Sequence, residues 1–209
     1  YIKVNYNSLM KGAVPKMDDY DHGRAHGNPQ YALIAPICVT QNVAKELRRM
    51  EELLYPCYPR MHWCEDLHVT TVIFRMAPDR ISLDTIIEAI EHHLALVRSS
   101  AAFAVQIIAL QVHGKCLELK VRIARKICTF RDNLAKTLIH ADPALHIMRP
   151  HITIAQRVSG GVWSPYAENH IKSSSPRFSG NLAIPSLRLT MRSHHGNNGW
   201  KTLREWSFA

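Results

Sequence analysis

Two short segments place a histidine and a threonine two residues apart: Leu67-His68-Val69-Thr70 in the first half of the chain and Pro150-His151-Ile152-Thr153-Ile154 in the second. Side chains two residues apart on a β-strand point to the same face of the sheet. Two such strands lying side by side would bring two imidazoles and two hydroxyls into one cleft. These groups can move protons around a phosphate and donate hydrogen bonds to it without a metal ion.

The surroundings of these segments resemble a known family, the two-histidine (2H) phosphoesterases, and in particular proteins similar to bacterial 2′-5′ RNA ligases and RNA cyclic phosphodiesterases. Trp63-Cys64-Glu65-Asp66-Leu67-His68 is similar to the tryptophan-led approach to the first motif of that family. The stretch from Leu187-Arg188-Leu189 through Gly199-Trp200-Lys201-Thr202-Leu203-Arg204-Glu205-Trp206 is similar to its closing hairpin. The resemblance covers residues 30–208. It implies a bilobal fold with both motifs on the inner strands of the cleft.

Two His-x-Thr motifs suit the hydrolysis of a 2′,3′-cyclic phosphate, in which water loses a proton while the departing ribose oxygen gains one. One neutral histidine can act as the base and one protonated histidine as the acid, on opposite sides of the phosphorus. Thr70 and Thr153 can donate hydrogen bonds to the non-bridging oxygens, where negative charge concentrates. No metal and no cofactor are expected, because imidazolium and neutral donors handle the charge. The family resemblance suggests His151 as the base and His68 as the acid.

Four further residues are candidates for binding the substrate, and each has an ordinary structural alternative. Arg149 and Arg157 flank the second motif and can hold a phosphate, although such arginines are more often surface charge. Trp63 and Tyr166 offer rings on which a base can stack, although core packing is the alternative for Trp63.

The segments that must position these residues read as strands and helices in alternation. Helices are predicted where apolar residues recur at helical spacing behind a capping residue: Thr40 precedes Val43, Leu47, Met50 and Leu54, and Ser82 precedes Leu83, Ile86, Ile90 and Leu94. A third helix is predicted over 127–138. Strands are predicted over 31–37, 68–74, 103–110, 117–123, 151–155 and 187–191, with a last one after the turn at 196–199. A long irregular segment is expected from 159 to about 185.

This order predicts an α+β fold of two similar lobes, in which two antiparallel-rich sheets face a central cleft and the helices lie outside. Residues 1–29 are polar, contain several glycines and prolines and lack periodicity, which is typical of an extended tail. We therefore predict an N-terminal tail over 1–29 and one phosphoesterase domain over 30–209.

The composition is that of a basic globular protein. Of 209 residues, 46% are hydrophobic and 21% charged, and no run of 18 apolar residues predicts a membrane span. The net charge of +9 and the pI of about 9.5 favour a polyanionic partner such as RNA. The five scattered cysteines, without a Cys-x-x-Cys pair, argue against a disulfide framework or zinc site. They predict an intracellular protein, cytoplasmic or nuclear.

Other mechanisms lack their signatures. The sequence contains no Gly-x-Ser-x-Gly elbow and no P-loop, which argues against a serine-nucleophile hydrolase and against ATP-dependent ligation. We predict a metal-independent phosphodiesterase acting on 2′,3′-cyclic phosphates or 2′-5′ linkages in RNA or oligonucleotides, and the sequence leaves open whether the reaction also runs in the direction of RNA ligation. Two alternatives stay open: degradation of a signalling oligonucleotide, either 2′-5′ oligoadenylate or a cyclic one, and RNA binding without catalysis. The oligomeric state is not predicted.

Overall fold

A computed structural model describes residues 30–74, 81–97, 103–139, 146–147, 149–158, 162–192 and 201–208 of the chain. The described residues form ten β-strands and four α-helices, which confirms the predicted α+β class. The strands are β1 (Gln30–Pro36), β2 (Met61–Trp63), β3 (His68–Phe74), β4 (Ala104–His113), β5 (Cys116–Ile123), β6 (His146–Ile147), β7 (His151–Arg157), β8 (Gly180–Ala183), β9 (Ser186–Arg192) and β10 (Lys201–Ser207). The helices are α1 (Gln41–Leu54), α2 (Leu83–Ala95), α3 (Arg125–Leu138) and α4 (Pro165–Ser174). The predicted tail, residues 1–29, lies outside the described residues.

The first two helices begin at the capping residues that the sequence indicates. Thr40 Oγ1 accepts a hydrogen bond from the Val43 amide at 3.4 Å, and Ser82 Oγ accepts one from the Thr85 amide at 3.1 Å. Each bond satisfies a backbone donor that the first helical turn leaves unpaired. The predicted apolar stripes are the buried faces: Val43, Leu47, Met50 and Leu54 on α1, and Ile86, Ile90 and Leu94 on α2. Among the described helices, none has both the length and the apolar character that crossing a membrane demands.

The strands form one continuous sheet in the order β10-β9-β1-β3-β7-β5-β4-β8, and every pairing is antiparallel. The sheet divides into two halves of four strands. The halves meet between β3 and β7, the two strands that carry the His-x-Thr motifs. The two sheets expected from the sequence are therefore the halves of a single sheet, joined where the chemistry was predicted.

Two short strands strengthen this junction reciprocally. β2, which precedes the first motif strand, pairs with β7, and β6, which precedes the second motif strand, pairs with β3. The short strand that leads into each motif strand therefore pairs with the motif strand of the other half. This arrangement approximates a two-fold relation between the halves and fixes the two motifs against each other through backbone hydrogen bonds.

The segment predicted to be irregular contains α4 and β8, so that prediction is wrong. Ser164 Oγ accepts a hydrogen bond from the Ala167 amide at 3.2 Å, and Pro165 occupies the first helical turn, where its missing N–H costs nothing. Ala167 and Ile171 are buried on one side of this ten-residue helix. Because a short helix needs so few apolar residues, its polar outer face dominates the sequence and hides the periodicity.

Candidate active site

The two motif strands have the same pattern of burial. In both β3 and β7 the first four residues alternate between half-buried and buried, and the fifth residue is buried as well. His68 and Thr70 are half-buried on one strand, as are His151 and Thr153 on the other, while Val69 and Ile152 between them are buried. The histidine and threonine of each motif therefore share the open face of the sheet, and the intervening residue anchors that face to the core.

The second consecutive buried residue follows a β-bulge, which occurs at the same place in both strands. Thr71 has no Cα partner on β1, because it lies between the pairs Leu33↔Val72 and Ile34↔Thr70. Ile154 has none on β5, because it lies between the pairs Leu117↔Ala155 and Glu118↔Thr153. A bulge inserts one extra residue and shifts the alternation of every residue that follows. In both strands the shift comes three residues after the histidine, so the cleft-facing stretch is limited to the His-x-Thr motif.

The pairing between the motif strands sets the four side chains next to one another. Val69, the middle residue of the first motif, pairs with Ile152, the middle residue of the second. A histidine and a threonine flank each of these paired residues on the opposite face of the sheet. His151 also lies near enough to His68 to lower the pKa of His68.

Both imidazoles are oriented by the same local hydrogen bond. His68 Nδ1 lies 2.8 Å from the carbonyl oxygen of Asp66, and His151 Nδ1 lies 2.7 Å from the carbonyl oxygen of Arg149. A carbonyl oxygen only accepts, so each Nδ1 carries a hydrogen and donates it. Nε2 is left for chemistry, as a lone pair in the neutral ring or as an N–H in the protonated one.

The environment of His68 favours its neutral form. Burial lowers the pKa of His68 below the usual 6.5 because the charged ring loses hydration, and the nearby His151 lowers it further. The hydrogen bond to the Asp66 carbonyl and the Asp66 carboxylate oppose this shift without reversing it. A neutral imidazole with its Nε2 lone pair directed away from Asp66 is suited to accept a proton.

One charged residue of the site, Glu118 on β5, was missed from the sequence. Its side chain is buried, with the residue 5% exposed; it is the Cα partner of Thr153, and its Oε1 lies 3.9 Å from His151 Nε2. The same oxygen lies 3.5 Å from His113 Nδ1, and Gln111 Nε2 donates to Oε2 at 3.5 Å. In the sequence Glu118 and Lys120 alternate with apolar residues, which predicts that they share a face of β5, but only the pairing of β5 with β7 shows that this face is the one with the motif.

Among the described residues, no hydrogen bond, ion pair or ring contact joins the side chain of Trp63, Tyr166 or Arg149 to either motif histidine, and their part in substrate binding stays a prediction. Trp63 is half-buried and borders a small apolar pocket together with Leu47 of α1 and Ile154. Tyr166 is 53% exposed on α4, and its ring centroid lies 4.3 Å from that of His170. The side chain of Arg149 is exposed, while its carbonyl oxygen orients His151.

Arg157 is placed differently from the prediction. It is 8% exposed, and its guanidinium carbon lies 4.7 Å from the ring centroid of Tyr58 and 5.3 Å from that of Trp163. If side chains alternated strictly from His151 onward, Arg157 would be on the same face of β7 as His151. The bulge at Ile154 shifts the alternation by one residue, so Arg157 is on the opposite, buried face. Arg157 therefore packs against both aromatic rings by cation–π stacking, and its part in substrate binding stays a prediction.

Comparison with known proteins identifies solved structures of the same fold. TT0787 of Thermus thermophilus is 17% identical, with a TM-score of 0.59 over 85% of this chain and 97% of that one. The MHV ns2 PDE domain is 14% identical, with a TM-score of 0.54 over 78% of this chain and 99% of that one. No protein-family model matches the sequence, and neither does any curated protein. At these identities the likeness is one of fold.

Proposed function

We propose that this chain, which has the fold of the 2H phosphoesterases, is a metal-independent phosphodiesterase that opens 2′,3′-cyclic phosphates or cleaves 2′-5′ linkages in RNA or oligonucleotides. The observation that supports the proposal is the pairing of β3 with β7 at Val69 and Ile152, which sets two similarly oriented histidines beside the same strand junction. The fold shared with the MHV ns2 PDE domain supports a phosphodiester substrate.

The proposed reaction is an in-line displacement at phosphorus. A water molecule between one Nε2 and the phosphorus gives its proton to that neutral imidazole and forms the new P–O bond. The bond from phosphorus to the leaving ribose oxygen breaks, and the second imidazole, which is protonated, donates its proton to that oxygen. The hydroxyls of Thr70 and Thr153 donate hydrogen bonds to the non-bridging oxygens as their charge grows. In ligation, a 5′-hydroxyl of a second RNA end takes the place of water, gives its proton to the neutral imidazole and opens the cyclic phosphate, while the protonated imidazole gives its proton to the leaving ribose oxygen. The reverse of that step, attack of the neighbouring ribose hydroxyl on a 2′-5′ linkage, exchanges the roles of the two histidines.

Charge supports a polyanionic substrate. The chain carries a net charge of +9, and Lys120 is the Cα partner of His151, so a cationic residue adjoins the second motif. By strand alternation Arg122 lies on the same face of β5, where it is exposed. These residues favour an oligonucleotide whose further phosphates extend along β5 beyond the reacting one.

A substrate panel tests the proposal. The protein is incubated in EDTA with an RNA ending in a 2′,3′-cyclic phosphate, with 2′-5′ oligoadenylate, and with the same RNA ending in a 3′-hydroxyl as the matched control; products are resolved by ion-exchange chromatography. We expect turnover of the cyclic or the 2′-5′ substrate and none of the control. Turnover of 2′-5′ oligoadenylate alone would indicate degradation of a signalling oligonucleotide. Binding of RNA without turnover of any substrate would identify a noncatalytic RNA-binding protein and refute the proposal.

A further inference from the structure

The open face of the sheet continues past the second motif as a polar surface on β5, β4 and β8. Lys120 is the Cα partner of His151, and Arg122 follows two residues later on the same face of β5. Arg122 has Gln106 of β4 as its Cα partner, and Gln106 in turn has Asn181 of β8. Lys120 is half-buried, and the other three residues of this surface are exposed. Side chains with hydrogen-bond donors therefore lie across three strands, beginning beside His151.

The two cations of this surface lack a compensating charge. Among the described residues, neither Lys120 nor Arg122 forms an ion pair or a hydrogen bond through its side chain. The other half of the sheet differs. There Arg188, which lies on the motif face in register with Thr70 across β1, is bound to Glu205 at 3.0 Å. Because unpaired cations attract a polyanion, this part of the second half favours one more than the region around Arg188 does.

The charges along β5 give the surface a direction. On the motif face this strand carries the carboxylate of Glu118, then Lys120 and then Arg122. A carboxylate repels phosphates and cations attract them, so a nucleotide strand whose end lies between the motif histidines extends toward Arg122 and away from Glu118. Residues two apart on a strand are separated by about 6.7 Å, which is close to the distance between successive phosphates of an extended nucleic-acid strand.

We propose that Arg122, Gln106 and Asn181 form a second phosphate site, which binds the phosphodiester next to the reacting phosphate. The inference rests on the proposed function and deepens it, because it makes the end of an oligonucleotide the preferred substrate over a mononucleotide. In an RNA that ends in a 2′,3′-cyclic phosphate, this neighbouring diester lies across one ribose, on the 5′ oxygen of the terminal nucleoside. The guanidinium donates to its two non-bridging oxygens, and the two side-chain amides add further donors.

The experiment varies the charge of that one neighbouring linkage. A dinucleotide that ends in a 2′,3′-cyclic phosphate is compared with the same dinucleotide in which an uncharged methylphosphonate replaces the phosphodiester. The wild-type protein should have a kcat/KM about tenfold higher for the charged dinucleotide. The plot of log kcat/KM against log salt concentration should also be steeper for it by about 0.7, the value for one phosphate contact on a single strand.

Substitution of Arg122 tests whether that residue causes the preference. Arg122→Gln should lower the ratio of kcat/KM for the two dinucleotides from about ten to about one and remove the difference in salt dependence. Arg122→Lys keeps the charge but loses the fork of donors, so it should keep the salt dependence and lose part of the preference. Arg48→Gln, the same substitution at an exposed residue of α1, should leave the ratio as it is in the wild-type protein.

Each other outcome decides against one of the two proposals. A ratio near one in the wild-type protein, or a ratio that Arg122→Gln leaves unchanged, overturns the second phosphate site. If neither dinucleotide is turned over, the proposed function fails, and fluorescence anisotropy then decides the site: a labelled RNA should bind about tenfold more tightly than its methylphosphonate counterpart, and Arg122→Gln should abolish the difference. Displacement of the labelled RNA by polyglutamate as readily as by unlabelled RNA of equal charge would indicate a surface for acidic chains in general and overturn the assignment to RNA.

Discussion

Asparagine at either motif histidine should abolish proton transfer and leave the fold in place. The side-chain amide of asparagine reaches about where Nδ1 sits in histidine, and its NH₂ can donate to the same carbonyl oxygen, that of Asp66 or of Arg149. What asparagine lacks is the outer ring atom, Nε2. Because the two strands share one geometry, the same substitution is a matched change at both sites.

The size of the effect follows from the role of Nε2. A positioned general acid or base contributes about 10²- to 10⁴-fold, which equals roughly 2.7–5.4 kcal/mol of transition-state stabilisation. His68→Asn and His151→Asn should each lose this much in kcat for a cyclic phosphate. Alanine should lose a similar amount in kcat and, in addition, about 1 kcal/mol in the free energy of unfolding, because its hydrogen bond to the carbonyl is gone. The double asparagine variant should be little slower than either single one, since the residues act as a unit.

Single-turnover cleavage of an RNA ending in a 2′,3′-cyclic phosphate measures the rates, and urea unfolding followed by circular dichroism measures stability. Glu88→Ala, on the exposed side of α2, serves as the control for an ordinary surface substitution. If a folded asparagine variant keeps more than about a tenth of the wild-type rate, the two-histidine mechanism is wrong.

Further measurements follow from other contacts. Valine at Thr70 or Thr153 should lower turnover by about 10- to 10³-fold and leave the affinity for RNA unchanged. Equal losses of turnover and of affinity would contradict a role in the transition state. Arg157→Met keeps the apolar stem but loses the stacking on Tyr58 and Trp163, so we expect a melting temperature lower by about 4–8 °C for a loss of about 2 kcal/mol, with turnover intact; a stable but inactive variant would return Arg157 to the substrate site. Because burial lowers the pKa of His68 below 6.5, the unfolded chain binds the proton more tightly than the folded chain does. The free energy of unfolding should therefore decrease as pH falls from 6.5 toward the lowered pKa. This decrease should disappear in His68→Asn, and the same dependence of unfolding free energy on pH in both proteins would refute it. Affinity for RNA should fall steeply between about 50 and 200 mM salt, and a flat response in a filter-binding assay would point to a mononucleotide-sized substrate.

Features that depend on neighbouring residues in the chain could be predicted from the sequence. The caps at Thr40 and Ser82 and the apolar stripes behind them are encoded within a few residues, and the parity of His-x-Thr is fixed by the two-residue repeat of a strand. The predicted helices and motif strands accordingly match the structure closely.

Features that depend on strand pairing could not be predicted. Glu118 enters the site because β5 pairs with β7, and nothing near Glu118 in the sequence indicates that partner. Arg157 is buried against Tyr58 and Trp163 after the bulge at Ile154 shifts the alternation of β7, and no local rule marks this ordinary apolar residue as the extra one. The short α4 was missed although Ser164 and Pro165 carry a start signal, because its buried face amounts to so few residues.

The near two-fold relation of the motif strands bears on the regiochemistry of the product. A 2′,3′-cyclic phosphate presents two ribose oxygens as leaving groups, and two equivalent motifs would bind it equally well in either of two orientations. Such a site would release a mixture of 2′- and 3′-phosphates. Glu118 lies beside His151, and no carboxylate of the described residues forms an ion pair with His68, so the two sides of the proposed site are not equivalent. Under the proposed function, the isomer released then depends on how the nucleoside is held, and a variant that alters those contacts should change the product without changing the chemistry.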